Sequence, residues 1–169
     1  MGLCEVPFHL NSFFEEKPEL KKVLFLIHDL GHGGAEKVLV NLVNNMDPRK
    51  FDITVMTLIS GGVNEQFLKP HIRYIPLFRW LPRGHSHFMA AMSPSQLHRW
   101  LIKDRYDIEV AYLEGPMSRI VSGCPDPDTK LVSWIHIEQH THKRAELGFR
   151  SHEEMVRCQQ KFQSICPHP

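Results

Sequence analysis

Short apolar segments alternate with helix-like segments along this 169-residue chain, and the alternation limits the fold more than any other feature. Val23–His28 is a continuous apolar run closed by a polar residue, which is typical of a strand buried on both faces of a parallel sheet. The segment after it repeats apolar residues at helical spacing. Five strands are predicted in this way, with a sixth begun in the last residues: Val23–His28, Phe51–Leu58, His71–Leu77, Ile108–Leu113 and Lys130–Ile137.

Strands that alternate with helices at this rhythm favour right-handed crossovers between parallel strands. We therefore predict an α/β fold with a doubly wound, Rossmann-like parallel sheet. In such sheets ligands bind beyond the carboxyl ends of the strands. Four segments should lie at that edge: His28–Gly34, Ser60–Gly62, Glu114–Gly115 and His136–Glu138.

Local signals predict where helices begin and which faces they bury. Ser93 followed by Gln96, and Ser151 followed by Glu154, each fit a capping box. The apolar spacing then predicts two buried faces, one formed by Ala35, Val38, Leu39, Leu42, Val43 and Met46, and the other by Leu97, Trp100 and Leu101.

Gly33 and Gly34 stand where the first strand turns into the first helix. Glycine lets a ligand approach the backbone N–H groups there, and the helix dipole favours an anion such as a phosphate. A dinucleotide fingerprint is disfavoured because Glu36 occupies the position of its third glycine. A Walker loop is excluded because Lys37 is preceded by Glu36 and followed by Val38. A phosphate or diphosphate outside these two classes is expected, and the alternative is a tight turn that binds no ligand.

Longer stretches carry a family resemblance. GGAEKVLVNL after a buried strand, YDIEVAYLEGP followed by KLVSWIHIE, and then a Ser-capped helix resemble the N-terminal half of the retaining glycosyltransferases of family 4. These enzymes have the two-domain GT-B fold, and the likeness is to bacterial members that build surface polysaccharides. It covers Lys21–Cys166. It implies sugar transfer, with retention, from a nucleotide-diphosphate sugar to a saccharide or lipid-linked acceptor, without a cofactor or metal.

The same resemblance implies roles for individual residues. Gly33 and Gly34 would present backbone N–H groups to the diphosphate of the donor, and His136 would be the catalytic residue at the end of the fifth strand. Contacts with the acceptor or the sugar are expected from His28, Glu114 and Gly115.

The predicted organisation is a loosely ordered leader over residues 1–20 and a GT-B N-terminal domain over residues 21–166. The resemblance implies a second GT-B domain that binds the nucleotide, and we expect that domain to be absent from this chain. We therefore expect no appreciable transfer by the chain alone, and a second domain or subunit as its partner. A non-catalytic module that binds an acceptor or a partner subunit is the alternative function.

Composition narrows the setting of the protein. Lys and Arg number 20 against 19 Asp and Glu, so no net field attracts nucleic acid. The four cysteines form no CxxC pair, and the apolar run near the start is too short for a signal peptide, which together favour a cytoplasmic protein. A contact with the inner face of the membrane is a further hypothesis, based on a basic and aromatic group that consists of Arg79, Trp80, Arg83, Arg99 and Trp100. The favoured interpretation of that group is a solvated loop and one buried tryptophan.

Twelve histidines raise a last alternative, a zinc-dependent hydrolase. The stretches HIEQHTH and GHSH are the candidates for metal binding. In the first, Ile137 stands where a zincin needs a glutamate. Surface histidines without a metal are the simpler interpretation of both stretches.

Overall fold

The computed structural model describes residues 19–81, 89–135 and 148–167, with the backbone alone for 164–167. Its elements, in chain order, are β1 (Lys21–Ile27), α1 (Gly34–Asn45), β2 (Phe51–Ile59), a 3-10 turn (Glu65–Phe67), β3 (Arg73–Phe78), α2 (Pro94–Leu101), β4 (Ile108–Tyr112), α3 (Pro116–Val121), β5 (Lys130–Ile135), α4 (His152–Gln159) and β6 (Ser164–Pro167). The predicted strands are present, and their described ends differ from the predicted ends by at most two residues, while residues 136 and 137 of the predicted fifth strand lie outside the described residues.

The strands form one parallel sheet in the order β3-β2-β1-β4-β5-β6. The predicted α/β, doubly wound fold class is therefore confirmed. The chain adds strands on one side of β1 up to β3 and then crosses to the other side of β1 with β4. That crossing places the topological switch point between β1 and β4.

Two hydrophobic cores lie on opposite faces of the sheet, because successive strand residues point to opposite sides. Leu24 and Leu26 belong to the core under α2 and α3. Val23, Phe25 and Ile27 belong to the core under α1. Burying a side chain of this size contributes about 1.5–3 kcal/mol, so β1 stabilises both layers of helices at once.

The buried face of α1 differs from the predicted one at two positions. Leu39 and Val43 are buried as predicted, but Val40 is buried with them and Val38 is 40% exposed. The sheet lies beside the line through residues 39, 40 and 43, so residue 38 turns towards solvent. The prediction for Val38 was therefore wrong.

The buried face of α2 also needs a correction. Leu97 and Leu101 are buried as predicted, but Trp100 is 40% exposed and His98 is buried instead. The capping box at the start of this helix is confirmed by two reciprocal hydrogen bonds between Ser93 and Gln96. The helix therefore begins where its sequence predicts and presents a different face to the core.

At α4 only half of the predicted capping box forms. The Ser151 hydroxyl accepts a hydrogen bond from the Glu154 N–H at 3.2 Å. The Glu154 carboxylate does not return to the N-cap, because it binds the buried guanidinium of Arg119 on α3. The ion pair between Glu154 and Arg119 thus replaces the hydrogen bond that the Glu154 carboxylate would accept from the Ser151 N–H in a complete capping box.

Candidate functional site

The carboxyl ends of β1 and β4 lie side by side at the centre of the sheet. The two strands pair in parallel, with Leu26 opposite Ala111, so His28 and Leu113 leave the sheet next to each other. α1 packs on one face of the sheet and α3 on the other, and the loops that lead to them diverge. Doubly wound domains bind their ligands in the crevice formed at such a point.

Five of the predicted site residues share this edge: His28, Gly33, Gly34, Glu114 and Gly115. The first three belong to the connection from β1 to α1, and the last two to the connection from β4 to α3. The sixth, His136, follows β5 directly in the chain but lies outside the described residues, as do the HIEQHTH and GHSH stretches.

The two glycines of the corner have different surroundings. Gly33 is the N-cap of α1, and a Cβ added there would collide with the Glu36 carboxylate. The negative charge of Glu36 therefore lies over the positive end of the helix, where it is stabilising. At Gly34, which is exposed, no described heavy atom outside its chain neighbours and the adjoining helix backbone lies within 4 Å of the position that a Cβ would take. The backbone of Gly34 is thus open to a ligand.

His28 is oriented by the residue that follows it. Its Nδ1 donates to Asp29 Oδ2 at 2.7 Å, and Asp29 Oδ1 accepts from the Gly31 N–H at 2.7 Å. The His28 side chain is 46% exposed. The carboxylate fixes the imidazole with its proton on Nδ1, so Nε2 is the acceptor nitrogen when the ring is neutral.

A second glycine loop follows β2, and its N–H groups bind a carboxylate of the chain itself. Glu65 Oε1 accepts from the N–H groups of Gly61 at 2.6 Å and Gly62 at 2.9 Å. It also accepts from the Tyr74 hydroxyl at 2.6 Å. Burial, together with this hydrogen bond, raises the pKa of Tyr74 well above its ordinary range, so the hydroxyl remains a donor. Glu65 fills the anion position that the loop creates.

The same loop supports the first glycine corner. A Cβ at Gly62 would collide with the backbone carbonyl of Leu30. The Asn64 N–H donates to the Leu30 carbonyl at 2.9 Å, and the Asn64 side-chain amide donates to the Gly31 carbonyl. The connections that follow β1 and β2 are therefore held together by hydrogen bonds from the backbone and the side chain of Asn64.

Backbone strain lies at the other side of the crevice. Leu113 has φ 83° and Gly115 has φ 82°. Glycine adopts such values freely, whereas for leucine they cost about 1–3 kcal/mol and are concentrated at functional sites. Glu114 is held between these two residues, half-buried, at the edge to which the sequence assigned it. Leucine gives no sequence signal for this conformation.

Beneath the edge is a cavity of about 100 Å³, lined in part by His28, Leu58, Pro116 and Arg119. Arg119 is 1% exposed. Its guanidinium donates to both carboxylate oxygens of Glu154 and to two backbone carbonyls of residues 89 and 92. Sequence reasoning missed Arg119, although a charge within the apolar stretch PMSRIV is a signal for a buried partner.

The opposite, amino-terminal edge of the sheet contains a cluster of two buried residues and one half-buried residue that sequence reasoning also missed. His98 Nε2 on α2 lies 3.0 and 2.9 Å from the two carboxylate oxygens of Glu109 on β4. Cys124, in the connection from α3 to β5, completes a group whose ligand atoms lie within 4.8 Å of one another. A cavity of about 550 Å³ is lined by all three residues. A glutamate inside the apolar strand IEVAY was the available signal.

Burial raises the pKa of the Cys124 thiol, with the nearby Glu109 charge as a further cause in the same direction. A thiol of this kind is protonated at neutral pH and is a poor nucleophile. The cluster therefore does not have the electrostatics of a nucleophilic cysteine site.

The aromatic residues after β3 are more exposed than expected. Trp80 is 72% exposed and Trp100 is 40% exposed, so the interpretation with one buried tryptophan in this group was wrong. Trp100 packs on Phe78, with ring centroids 5.6 Å apart. Arg83 lies outside the described residues. Among the helices of residues 19–81, 89–135 and 148–167, none has the length and apolar character needed to cross a membrane.

Comparison of the chain with protein-family models and with curated proteins gives no match. The class of protein is therefore defined by the fold and the site alone. The chain forms a doubly wound α/β domain with an open helix N-terminus and a strained loop at its topological switch point.

Proposed function

We propose that this chain is the acceptor-side half of a retaining GT-B glycosyltransferase that transfers a sugar from a nucleotide-diphosphate sugar to a saccharide or lipid-linked acceptor. The observation that carries this proposal is the open backbone at Gly34, at the start of α1, across the switch point from Glu114. An open helix N-terminus is a site for phosphate groups. The family resemblance supplies the reaction, and the position of the crevice supports it.

The chemistry follows from where charge develops during transfer. When the bond between the sugar and the diphosphate breaks, the leaving diphosphate gains negative charge. The N–H group at Gly34 and the dipole of α1 stabilise that charge more in the transition state than in the ground state. No metal is assigned to this step.

On the other side of the crevice are groups suited to hydroxyls. His28, with its ring fixed by Asp29, accepts a hydrogen bond at Nε2. Glu114 and the backbone of Gly115 accept hydrogen bonds from acceptor or sugar hydroxyls. His136 keeps the catalytic role that the family resemblance gives it, at the end of β5.

The isolated chain is expected to bind without transferring, because the donor's nucleotide belongs to a second domain. The test is an NMR titration of ¹⁵N-labelled protein with UDP-glucose and with GDP-mannose. We expect shifts of amides at residues 33–36 and 113–115. We expect none around Glu109, at the opposite edge of the sheet.

Gly34→Val provides the matched variant, because its side chain enters space that the protein leaves open. It should weaken nucleotide-sugar binding at least about tenfold, which is 1.4 kcal/mol. Asn41→Val places the same side chain on an exposed part of the same helix and should leave affinity unchanged. Absence of amide shifts at roughly millimolar ligand, or equal affinity of the two variants, would reject a donor contact at this corner.

A second function is favoured by the exposed tryptophans: contact with the membrane surface that presents a lipid-linked acceptor. Tryptophan beside arginine is suited to the headgroup region of a bilayer, and Arg79 and Arg99 neighbour Trp80 and Trp100 in the chain. Trp80→Ala should reduce flotation with anionic liposomes. Phe67→Ala removes another exposed aromatic and should not. Equal flotation of both variants would reject this contact.

A further inference from the structure

We propose that His98, Glu109 and Cys124 form a zinc-binding site at the amino-terminal edge of the sheet, separate from the sugar-transfer crevice. These residues come from three different elements: α2, β4 and the connection that follows α3. Each offers one ligand atom, and the three atoms lie within 4.8 Å of one another. The fold, not the local sequence, therefore brings them together.

The chemistry of the donor set selects the metal. One imidazole nitrogen, one carboxylate oxygen and one thiolate sulfur are typical ligands of Zn²⁺, which binds them at about 2.0–2.3 Å. Tetrahedral binding at those lengths places ligand atoms about 3.3–3.8 Å apart. The three atoms now lie within 4.8 Å of one another, and the 2.9 Å contact between His98 and Glu109 must lengthen for a metal ion to enter. Mg²⁺ and Ca²⁺ prefer oxygen ligands and are disfavoured by the thiol.

The two ring nitrogens of His98 have different surroundings. Nε2 interacts with Glu109, but Nδ1 is buried and has no hydrogen-bond partner among the described residues. The His98 side chain is 6% exposed. A buried nitrogen of this kind needs an explanation, because leaving one unpaired is costly. The pair between His98 and Glu109 leaves Nδ1 without a described partner, and the Cys124 thiol beside the pair makes a long contact of 3.9 Å with the backbone carbonyl of Asp126.

The cavity supplies access and a free coordination position. It has a volume of about 550 Å³ and is lined by all three proposed ligands. Three protein ligands with a fourth position open to water or a ligand is the arrangement of zinc sites that are not purely structural. Asp126 and Thr129 also line the cavity and provide oxygen atoms for a bound water.

Cobalt substitution tests the site, because a sulfur ligand to Co²⁺ produces a charge-transfer absorption band. Protein without a histidine tag is stripped with a chelator and titrated with Co²⁺ and then Zn²⁺. We expect one equivalent to produce the band and Zn²⁺ to remove it. Cys124→Ser should abolish the band. His98→Gln and Glu109→Gln should weaken Zn²⁺ binding by more than the roughly 10- to 100-fold that loss of an outer-shell partner costs.

Two controls separate this site from other metal ligands in the chain. A variant with Cys4, Cys158 and Cys166 all replaced by Ser should keep the band. So should the combined variant His136→Ala, His140→Ala and His142→Ala, which removes the histidines of HIEQHTH. A band that survives Cys124→Ser, or that is lost in the histidine variant, would overturn the proposal.

X-ray absorption of the unaltered protein with one equivalent of Zn²⁺ keeps the test decisive if Cys124→Ser fails to fold. We expect one sulfur at about 2.3 Å among nitrogen and oxygen ligands. A shell of nitrogen and oxygen alone would overturn the proposal. These readouts are independent of nucleotide-sugar binding, so either proposal can fail without the other.

Discussion

Two buried pairs of polar side chains lie on the same face of the sheet and differ in how completely they are hydrogen-bonded. Arg119 and Glu154, below the carboxyl edge, bind each other, and Arg119 also donates to two backbone carbonyls. His98 and Glu109, at the amino edge, bind each other through one nitrogen only. The fully hydrogen-bonded pair of Arg119 and Glu154 stabilises the fold. The pair of His98 and Glu109, which lies beside a cavity and keeps one nitrogen without a described partner, is suited to binding a ligand.

The complete pair connects segments that are distant in the chain. Glu154 also accepts from the Arg150 N–H at 2.7 Å, and the Arg150 guanidinium donates to the carbonyls of Ala90 and Ala91. α3, α4 and the segment before α2 are therefore joined beneath the crevice. The pair of His98 and Glu109 joins only α2 to β4. A metal ion bound also by Cys124 would connect a third segment to these two.

The largest effect is expected from breaking the complete pair. Arg119→Met should lower the free energy of unfolding by about 3–5 kcal/mol, because it leaves the Glu154 carboxylate buried without its counter-charge. The double variant with Glu154→Gln should recover part of that loss. Urea denaturation measures both.

The matched change at the other edge is His98→Gln, which keeps a hydrogen-bond donor for Glu109 and should cost about 1–3 kcal/mol. Equal losses for Arg119→Met and His98→Gln would remove the distinction between the pairs. A loss of less than about 1 kcal/mol for Arg119→Met would mean that this pair behaves like a surface ion pair.

Part of the same stabilisation should depend on pH. Burial raises the pKa of Glu154, but hydrogen bonds from Arg119 and the Arg150 N–H outweigh it, so the pKa lies below its ordinary value of 4.5. A lowered folded-state pKa stabilises the protein above the unfolded-state pKa, and that stability is lost as the pH falls through the folded-state value. Stability measured by urea denaturation should therefore decline below about pH 4.5.

Glu154→Gln should remove part of that acid decline. The double variant Arg119→Met with Glu154→Gln serves as the control and should decline like Glu154→Gln alone. An unchanged acid slope in Glu154→Gln would mean that the carboxyl does not titrate differently in the folded and unfolded protein.

Much of the fold was predictable because strand identity is a local property of the sequence. The apolar runs at Val23 and Phe51 define strands wherever the chain goes, and the topology rule then assigns Gly34 and Glu114 to one edge. The buried pairs were not predictable in this way. Glu154 fits a capping box locally, and only packing of α4 on α3 brings it to Arg119, 35 positions away.

Two glycines at the carboxyl edge of the sheet differ in the space around them, since Gly62 is closely packed and Gly34 is open. Gly62→Ala should cost about 1–3 kcal/mol, because its Cβ meets the Leu30 backbone, which cannot rotate away. Gly34→Ala enters open space at the start of a helix and should stabilise the protein by up to about 1 kcal/mol. Thermal denaturation measures both. Destabilisation by Gly34→Ala would mean that the corner is closed.

A last pair of variants tests the strained backbone at the end of β4. Leu113→Ala and Leu113→Gly remove almost the same side chain, but only glycine adopts φ 83° without strain. Leu113→Gly should therefore be more stable than Leu113→Ala by about 1–2 kcal/mol, the reverse of the usual order of these residues in regular structure. Urea denaturation of the two variants measures that difference.

The two variants also link the strain to function. If the strain fixes Glu114 for binding, Leu113→Gly gains stability over Leu113→Ala but binds the ligand of the crevice more weakly, because the released loop no longer holds the carboxylate in place. Equal stability of the two variants would mean that the backbone at residue 113 relaxes. A stability gain with unchanged affinity would separate the strain from the site, and it would leave the open helix terminus at Gly34 as the feature of this edge that binds.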